Sequence, residues 1–260
     1  MNMKVKKITE EIFSVISRWP GVECICLNET ARVDFLDSYF ALIFDVYYEG
    51  EMPGIDERTS VFPNASMFET SPLGTKDRVM LEDIPVRIEY KSMNKVGTNL
   101  GIAASDCENL WRLKDSGTYG FYRLLNSEIL FNKSGWIVKV RKQLENLPDV
   151  FWNKMRDFYQ TTMEHYLMDL GAAAVQNDAF FYQVSLSGYL KFVTSVLFMV
   201  NHKFEPSHKS CNEQVHALDI LPSGFEGFFD SLLRIDGMLD AQRKFKIAEQ
   251  LAKTVINLRS

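Results

Sequence analysis

Two carboxylates carry the chemical interest of this sequence. Asp45 sits inside residues 37–49, Asp-Ser-Tyr-Phe-Ala-Leu-Ile-Phe-Asp-Val-Tyr-Tyr-Glu, among apolar and aromatic neighbours. An ionised carboxylate is costly to bury unless it is paired or holds a metal. Asp45 therefore needs a partner, and Glu89 is the candidate. It lies where Val86, Ile88 and Tyr90 alternate with Arg87, Glu89 and Lys91, the period of a strand with two unlike faces. Two carboxylates on neighbouring strands repel unless a cation lies between them. Mg²⁺ suits such a pair, because it takes hard oxygen ligands and bridges carboxylates to substrate phosphates. That arrangement performs phosphoryl or nucleotidyl transfer by positioning and charge neutralisation. The same spacing also fits a Glu89 paired with Arg87 or Lys91 on a solvated face, and an Asp45 satisfied by backbone donors.

The elements that must position these residues follow from periodicity. Apolar positions Val5, Ile8, Ile12, Phe13, Val15 and Ile16 predict a helix over 4–18, ended by Trp19-Pro20-Gly21. Residues 22–27 read as a first strand and 37–48 as a second. Glu49-Gly50-Glu51-Met52-Pro53-Gly54 is turn chemistry. Residues 55–77 read as loop-rich, and 78–91 as strand with a turn at Glu82-Asp83. Short helices are expected near 102–113, an apolar pattern at 121–126 and 128–131, and a helix over 136–147. From Leu147-Pro148 onward the pattern is helical. Asp149 is a candidate cap for a stripe of Phe151, Met155, Phe158, Tyr159, Met163, Tyr166, Leu167 and Leu170. The expected organisation is α+β over 1–146 and an all-α bundle over 147–260.

Bulk properties narrow the class. The 260 residues are 46% hydrophobic and 24% charged, with a net charge of −5, an ordinary globular composition. No basic run appears, which argues against a nucleic-acid partner. Residues 179–200 are the most apolar stretch, but Gln183, Ser185, Ser187, Lys191 and Thr194 interrupt it, so it reads as a buried helix rather than a membrane span. The first residues lack the apolar core of a signal peptide. A cytoplasmic chain is expected. The four cysteines, at 24, 26, 107 and 211, form no disulfide framework. Cys24 and Cys26 point the same way on a strand, as small buried hydrophobes or as metal ligands.

Four segments resemble the nucleotidyltransferase superfamily, in particular the aminoglycoside and lincosamide nucleotidyltransferases. Leu27-Asn28-Glu29-Thr30-Ala31-Arg32-Val33 resembles its Gly-Ser loop. Ile43-Phe44-Asp45-Val46-Tyr47 resembles its Asp-x-Asp strand. Val86-Arg87-Ile88-Glu89-Tyr90 resembles the strand of its third carboxylate. The stretch from Phe198 through Asn201-His202-Lys203-Phe204-Glu205-Pro206 to Lys209 resembles the loop of its helical domain. The resemblance implies an N-terminal mixed sheet with flanking helices, followed by a helical bundle. It further implies Mg²⁺-dependent transfer from a nucleoside triphosphate to a small hydroxylated acceptor held between the domains. Asp45 and Glu89 would bind metal, Asp37 would assist, and Lys76, Arg87 and Lys209 would contact phosphate. Asn28 and Glu29 stand where that pattern has Gly-Ser, and Ile43 stands where it has a first Asp. Those three residues favour the alternative, a fold of this kind that has lost catalysis and serves as a ligand-binding or regulatory module.

Two further groups come from spacing alone. His202, His208, Cys211 and His216 invite a zinc reading, without a strong ligand spacing. Gln183, Ser187, Lys191, Ser195 and His202 recur along one side of a helix, as an acceptor-pocket border or as a wet face.

Overall fold

The computed structural model describes residues 3–28, 41–106, 108–114, 118–235, 237 and 239–258. The chain divides into two compact units. The first comprises Met1–Ile102 and Arg123–Asn146; the second comprises Ala103–Tyr122 and Leu147–Ser260. Residues 103–122 thus group with the helical part of the chain.

The first unit is built on a six-stranded mixed sheet in the order β3-β4-β5-β2-β1-β6. The strands are β1 (Val22–Leu27), β2 (Leu42–Tyr48), β3 (Met67–Thr70), β4 (Lys76–Leu81), β5 (Ile84–Ser92) and β6 (Glu128–Asn132). β2 and β5 run parallel, and every other pair is antiparallel. One face is apolar. Helix α1 (Met3–Ile16) lays Ile8, Ile12 and Ile16, all without exposure, into a core with Leu42, Phe44, Val46, Val86 and Ile88. Their i, i+4, i+8 spacing is one stripe of a helix, and each such residue contributes roughly 1.5–3 kcal/mol by leaving water. The β4–β5 hairpin closes through Glu82 and Asp83, at φ 46° and 64°. Two positive φ values are what a tight two-residue hairpin turn needs to match strand twist.

The segment 55–77, expected as loop, holds the six-residue helix α2 (Ile55–Ser60) and β3. A buried clamp holds this segment to the sheet. Asp77 is fully buried and accepts hydrogen bonds from Thr70 Oγ1 at 2.8 Å and Tyr90 Oη at 2.7 Å. Arg58 of α2 pairs with it, Nε to Oδ2 at 3.1 Å, and its guanidinium lies 4.8 Å from the centre of the Tyr90 ring.

The second unit is helical: α4 (Trp111–Lys114), α7 (Asp149–Gln176), α8 (Ala179–Val200), α9 (Cys211–His216), α10 (Phe225–Leu233) and α11 (Ala241–Ile256). Pro148, not Asp149, occupies the cap position of α7, and Asp149 begins its first turn. Helices α7 and α8 pack closely because Gly188 has no side chain: a Cβ there would lie 2.3 Å from Tyr166 Cε1. α8 is long and apolar enough by composition to cross a membrane. Here it is a core helix, with Tyr189 and Val193 unexposed and the Tyr189 hydroxyl donating to Ala248 O of α11 at 2.7 Å. Along its polar side Gln183, Ser187 and Lys191 are exposed while Ser195 is buried. Helices α3 (Met93–Ser105) and α5 (Tyr119–Asn126) carry the chain between units, and α6 (Trp136–Glu145) belongs to the first.

Candidate functional site

The parallel register of β2 and β5 sets Asp45 directly beside Glu89. The two-residue period sends Ile43, Asp45 and Tyr47 of β2 to the same face as Arg87, Glu89 and Lys91 of β5. On β4, Lys76 stands opposite Glu89 and Arg78 opposite Arg87. On β1, Cys26 stands opposite Asp45. This is the sheet's polar face, turned away from α1.

The pairing of Asp45 with Glu89 holds, but what lies between them is a guanidinium. Arg123 of α5 is buried. Its Nε donates to Asp45 Oδ2 at 2.8 Å, its Nη2 donates to Asp45 Oδ1, and its Nη1 donates to Glu89 Oε2 at 2.8 Å. The fork matches a carboxylate with two parallel bonds. Lys91 Nζ adds a contact to Asp45 Oδ1 at 2.9 Å, and Lys76 Nζ one to Glu89 Oε1 at 3.1 Å. All four carboxylate oxygens therefore face a protein cation.

The protonation energetics follow from this arrangement. Burial works to raise the Glu89 carboxyl, but Arg123, Lys91 and Lys76 outweigh it and hold Glu89 below the ordinary carboxylate range. Burial pushes the Lys91 ammonium down, and its attraction to Asp45 only partly offsets this. The Tyr47 hydroxyl is pushed well up by burial, with Asp45 adding to the effect.

A magnesium ion does not fit this donor set. It would have to sit between the two carboxylates, in the space the Arg123 guanidinium fills, with the Lys91 and Lys76 ammonium groups beside it. Among the described residues, no three of His, Cys, Asp and Glu gather as a metal-ligating group. Asp37 and Glu29 lie outside the described residues. Asn28 is buried at the end of β1, where its backbone N–H donates to Ile43 O at 2.9 Å.

Comparison with known proteins places the architecture. Residues 114–210 match the family described as Domain of unknown function (DUF4037). No curated protein matches the sequence. A nucleotidyltransferase-like protein from Exiguobacterium sibiricum 255-15 has a similar structure, with a TM-score of 0.51 at 10% identity, over 96% of this chain and 74% of that one. The fold is nucleotidyltransferase-like. An aminoglycoside 6-adenyltransferase from Bacillus subtilis aligns with a TM-score of 0.32 at 8% identity, over 96% of this chain and 89% of that one.

Within this nucleotidyltransferase-like fold the remaining expected residues fall in different places. Lys76 contacts Glu89. Arg87 lies on the same face, opposite Ile43 and Arg78. Lys209 belongs to the second unit and is exposed. Cys24 and Cys26 are buried with their Sγ atoms 3.6 Å apart. Of the zinc candidates, His202 stacks on Trp152 with ring centres 5.2 Å apart, and His216 packs on Phe225 and Phe229. The second unit has its own polar knot. Glu205 accepts from Ser195 Oγ and from Thr118 Oγ1 at 3.1 Å, and its N–H donates back to Thr118 Oγ1 at 2.8 Å. The sequence reading missed Arg123. Arg123 did carry a signal: one charge inside Phe121-Tyr122-Arg123-Leu124-Leu125, which raises the same question of a buried partner as Asp45.

Proposed function

We propose that this protein is a nucleotidyltransferase-fold module that binds a ligand without catalysing transfer. The observation that carries the reading is the Arg123 guanidinium seated between Asp45 and Glu89. A protein cation there performs the neutralisation that a bound metal would perform, and it fills the place between the carboxylates from which a metal would hold phosphates. Ile43, standing where an active strand would carry another carboxylate, supports the same reading. The competing reading is Mg²⁺-dependent nucleotidyl transfer from a nucleoside triphosphate to a small hydroxylated acceptor. It requires Arg123 to leave both carboxylates.

The experiment is pyrophosphate release, measured with each nucleoside triphosphate and a panel of hydroxylated acceptors. It is run with Mg²⁺ and with EDTA, on wild type and Asp45→Ala, beside thermal denaturation under the same conditions. The expected result is no release above background and the same melting temperature with Mg²⁺ as with EDTA. Metal-dependent release by wild type that Asp45→Ala abolishes would establish the enzyme and end this proposal.

A further inference from the structure

We infer that the outer part of the polar face, around Arg78 and Arg87, binds a multiply charged phosphorylated small molecule free of any divalent cation. This rests on the non-catalytic reading above and names the ligand class of that face.

The first observation is the distribution of charge. The chain carries a net charge of −5. Yet the polar face of β3, β4, β5 and β2, with Arg123 beside it, presents Lys76, Arg78, Arg87, Lys91 and Arg123 against Asp45, Glu69 and Glu89. Lys76, Lys91 and Arg123 are committed to Asp45 and Glu89. The surplus positive charge is shared between that cluster and β4–β5, where Arg78 and Arg87 face the single carboxylate of Glu69.

The second observation is the register. Arg78 and Arg87 stand directly opposite each other across an antiparallel pair, with side chains on the same face. Like charges so placed repel and weaken the strand pair. Glu69 of β3 stands opposite Arg78 on its other side. Among the described residues, however, neither Arg78 nor Arg87 forms an ion pair. Arg78 is exposed and Arg87 half-buried, so an anion from solvent can reach both. A phosphate seated between them accepts from two guanidinium forks and converts repulsion into attraction.

The closed carboxylate pair explains why no metal is needed. A polyphosphate approaching bare carboxylates needs a divalent cation to screen the like charge. Here Arg123, Lys91 and Lys76 supply that screening from the protein itself, and Arg78 and Arg87 supply the attraction.

The test is calorimetric titration of the whole chain with inorganic tripolyphosphate and with ATP, both in EDTA, on wild type, Arg78→Gln, Arg87→Gln and the double variant. Wild type is expected to bind both probes in EDTA, more weakly as salt is raised. Each single variant should bind several-fold more weakly, and the double variant roughly tenfold more weakly or worse. Without ligand, the variants should melt at or above the wild-type temperature, because the cross-strand repulsion is gone; a purely structural role would lower it. No binding of either probe in EDTA, or equal binding by the double variant, overturns the site while leaving the closed carboxylate pair standing. Binding that appears only with Mg²⁺ overturns both this inference and the non-catalytic reading.

Discussion

Asp77 and Asp45 are both fully buried in one sheet, and each faces an arginine. They lie on opposite faces and are satisfied differently. Asp77 meets one guanidinium and two hydroxyls, those of Thr70 and Tyr90, on the apolar side of the sheet. The charges balance, and the partners come from α2, β3 and β5, so the cluster ties local segments together. Asp45 shares its guanidinium with a second carboxylate, and two lysines stand around the pair. That cluster is over-supplied with positive charge, and Glu89, Lys76 and Lys91 reach solvent. The same Arg–carboxylate chemistry thus makes a clamp where it is balanced and sealed. It makes a closed site with residual charge where it is doubled and partly open.

Four measurements sharpen or break that contrast. The largest effect is expected for Asp77→Ala, which leaves Arg58 buried and unpaired. It should cost roughly 3–5 kcal/mol in chemical denaturation, and a loss below 1 kcal/mol would remove the clamp from the comparison. Arg123→Ala should cost less, about 2–3 kcal/mol, because Lys91 and Lys76 remain beside the two carboxylates. It should also make thermal stability respond to Mg²⁺ or Mn²⁺, whereas wild-type stability is expected not to. A variant indifferent to both ions would show that the guanidinium is not standing in for a metal. Tyr90→Phe removes one hydrogen bond to Asp77 and should cost about 1–2 kcal/mol, without altering any response to anions.

The smallest effect is the pH dependence of Glu89. Its folded-state pKa lies below the ordinary value of 4.5. Its stabilising contribution is therefore complete above that value and is lost as pH falls through the lower folded value. Denaturation midpoints of wild type and Glu89→Gln should converge on acidification below about pH 4.5. Parallel curves would detach Glu89 from the charged cluster.

Much of the first unit was legible in the sequence because its strands alternate. Val86, Ile88 and Tyr90 against Arg87, Glu89 and Lys91 gave β5 and its two faces, and the isolated Asp45 marked β2. The partner of Asp45 was legible as a need but not as a residue. Strand register is set by long-range pairing, so the spacing of 45 and 89 could bring them together but could not show what lay between. Arg123 lay hidden because Phe121-Tyr122-Arg123-Leu124-Leu125 reads as apolar pattern, and helix α5 places its side chain only through tertiary packing. The Asp77 clamp was missed for a related reason. Helix α2 is six residues long, too short for periodicity to reveal, and Asp77 falls where the pattern changes from loop to strand. The long helices α7 and α8 were legible from their apolar spacing, whereas the closeness of their packing depends on one glycine, Gly188, facing Tyr166.

The position of Arg123 in the chain has a consequence for how the protein is made. Asp45 and Glu89 leave the ribosome before it, and it follows them by 78 and 34 residues. Until it emerges, the cations of the cluster already in the chain are Lys76 and Lys91. Dissolved salt screens the two carboxylates while they are exposed, and far less once the guanidinium is buried between them. The rate of refolding should therefore respond to ionic strength more steeply than the stability of the folded cluster does.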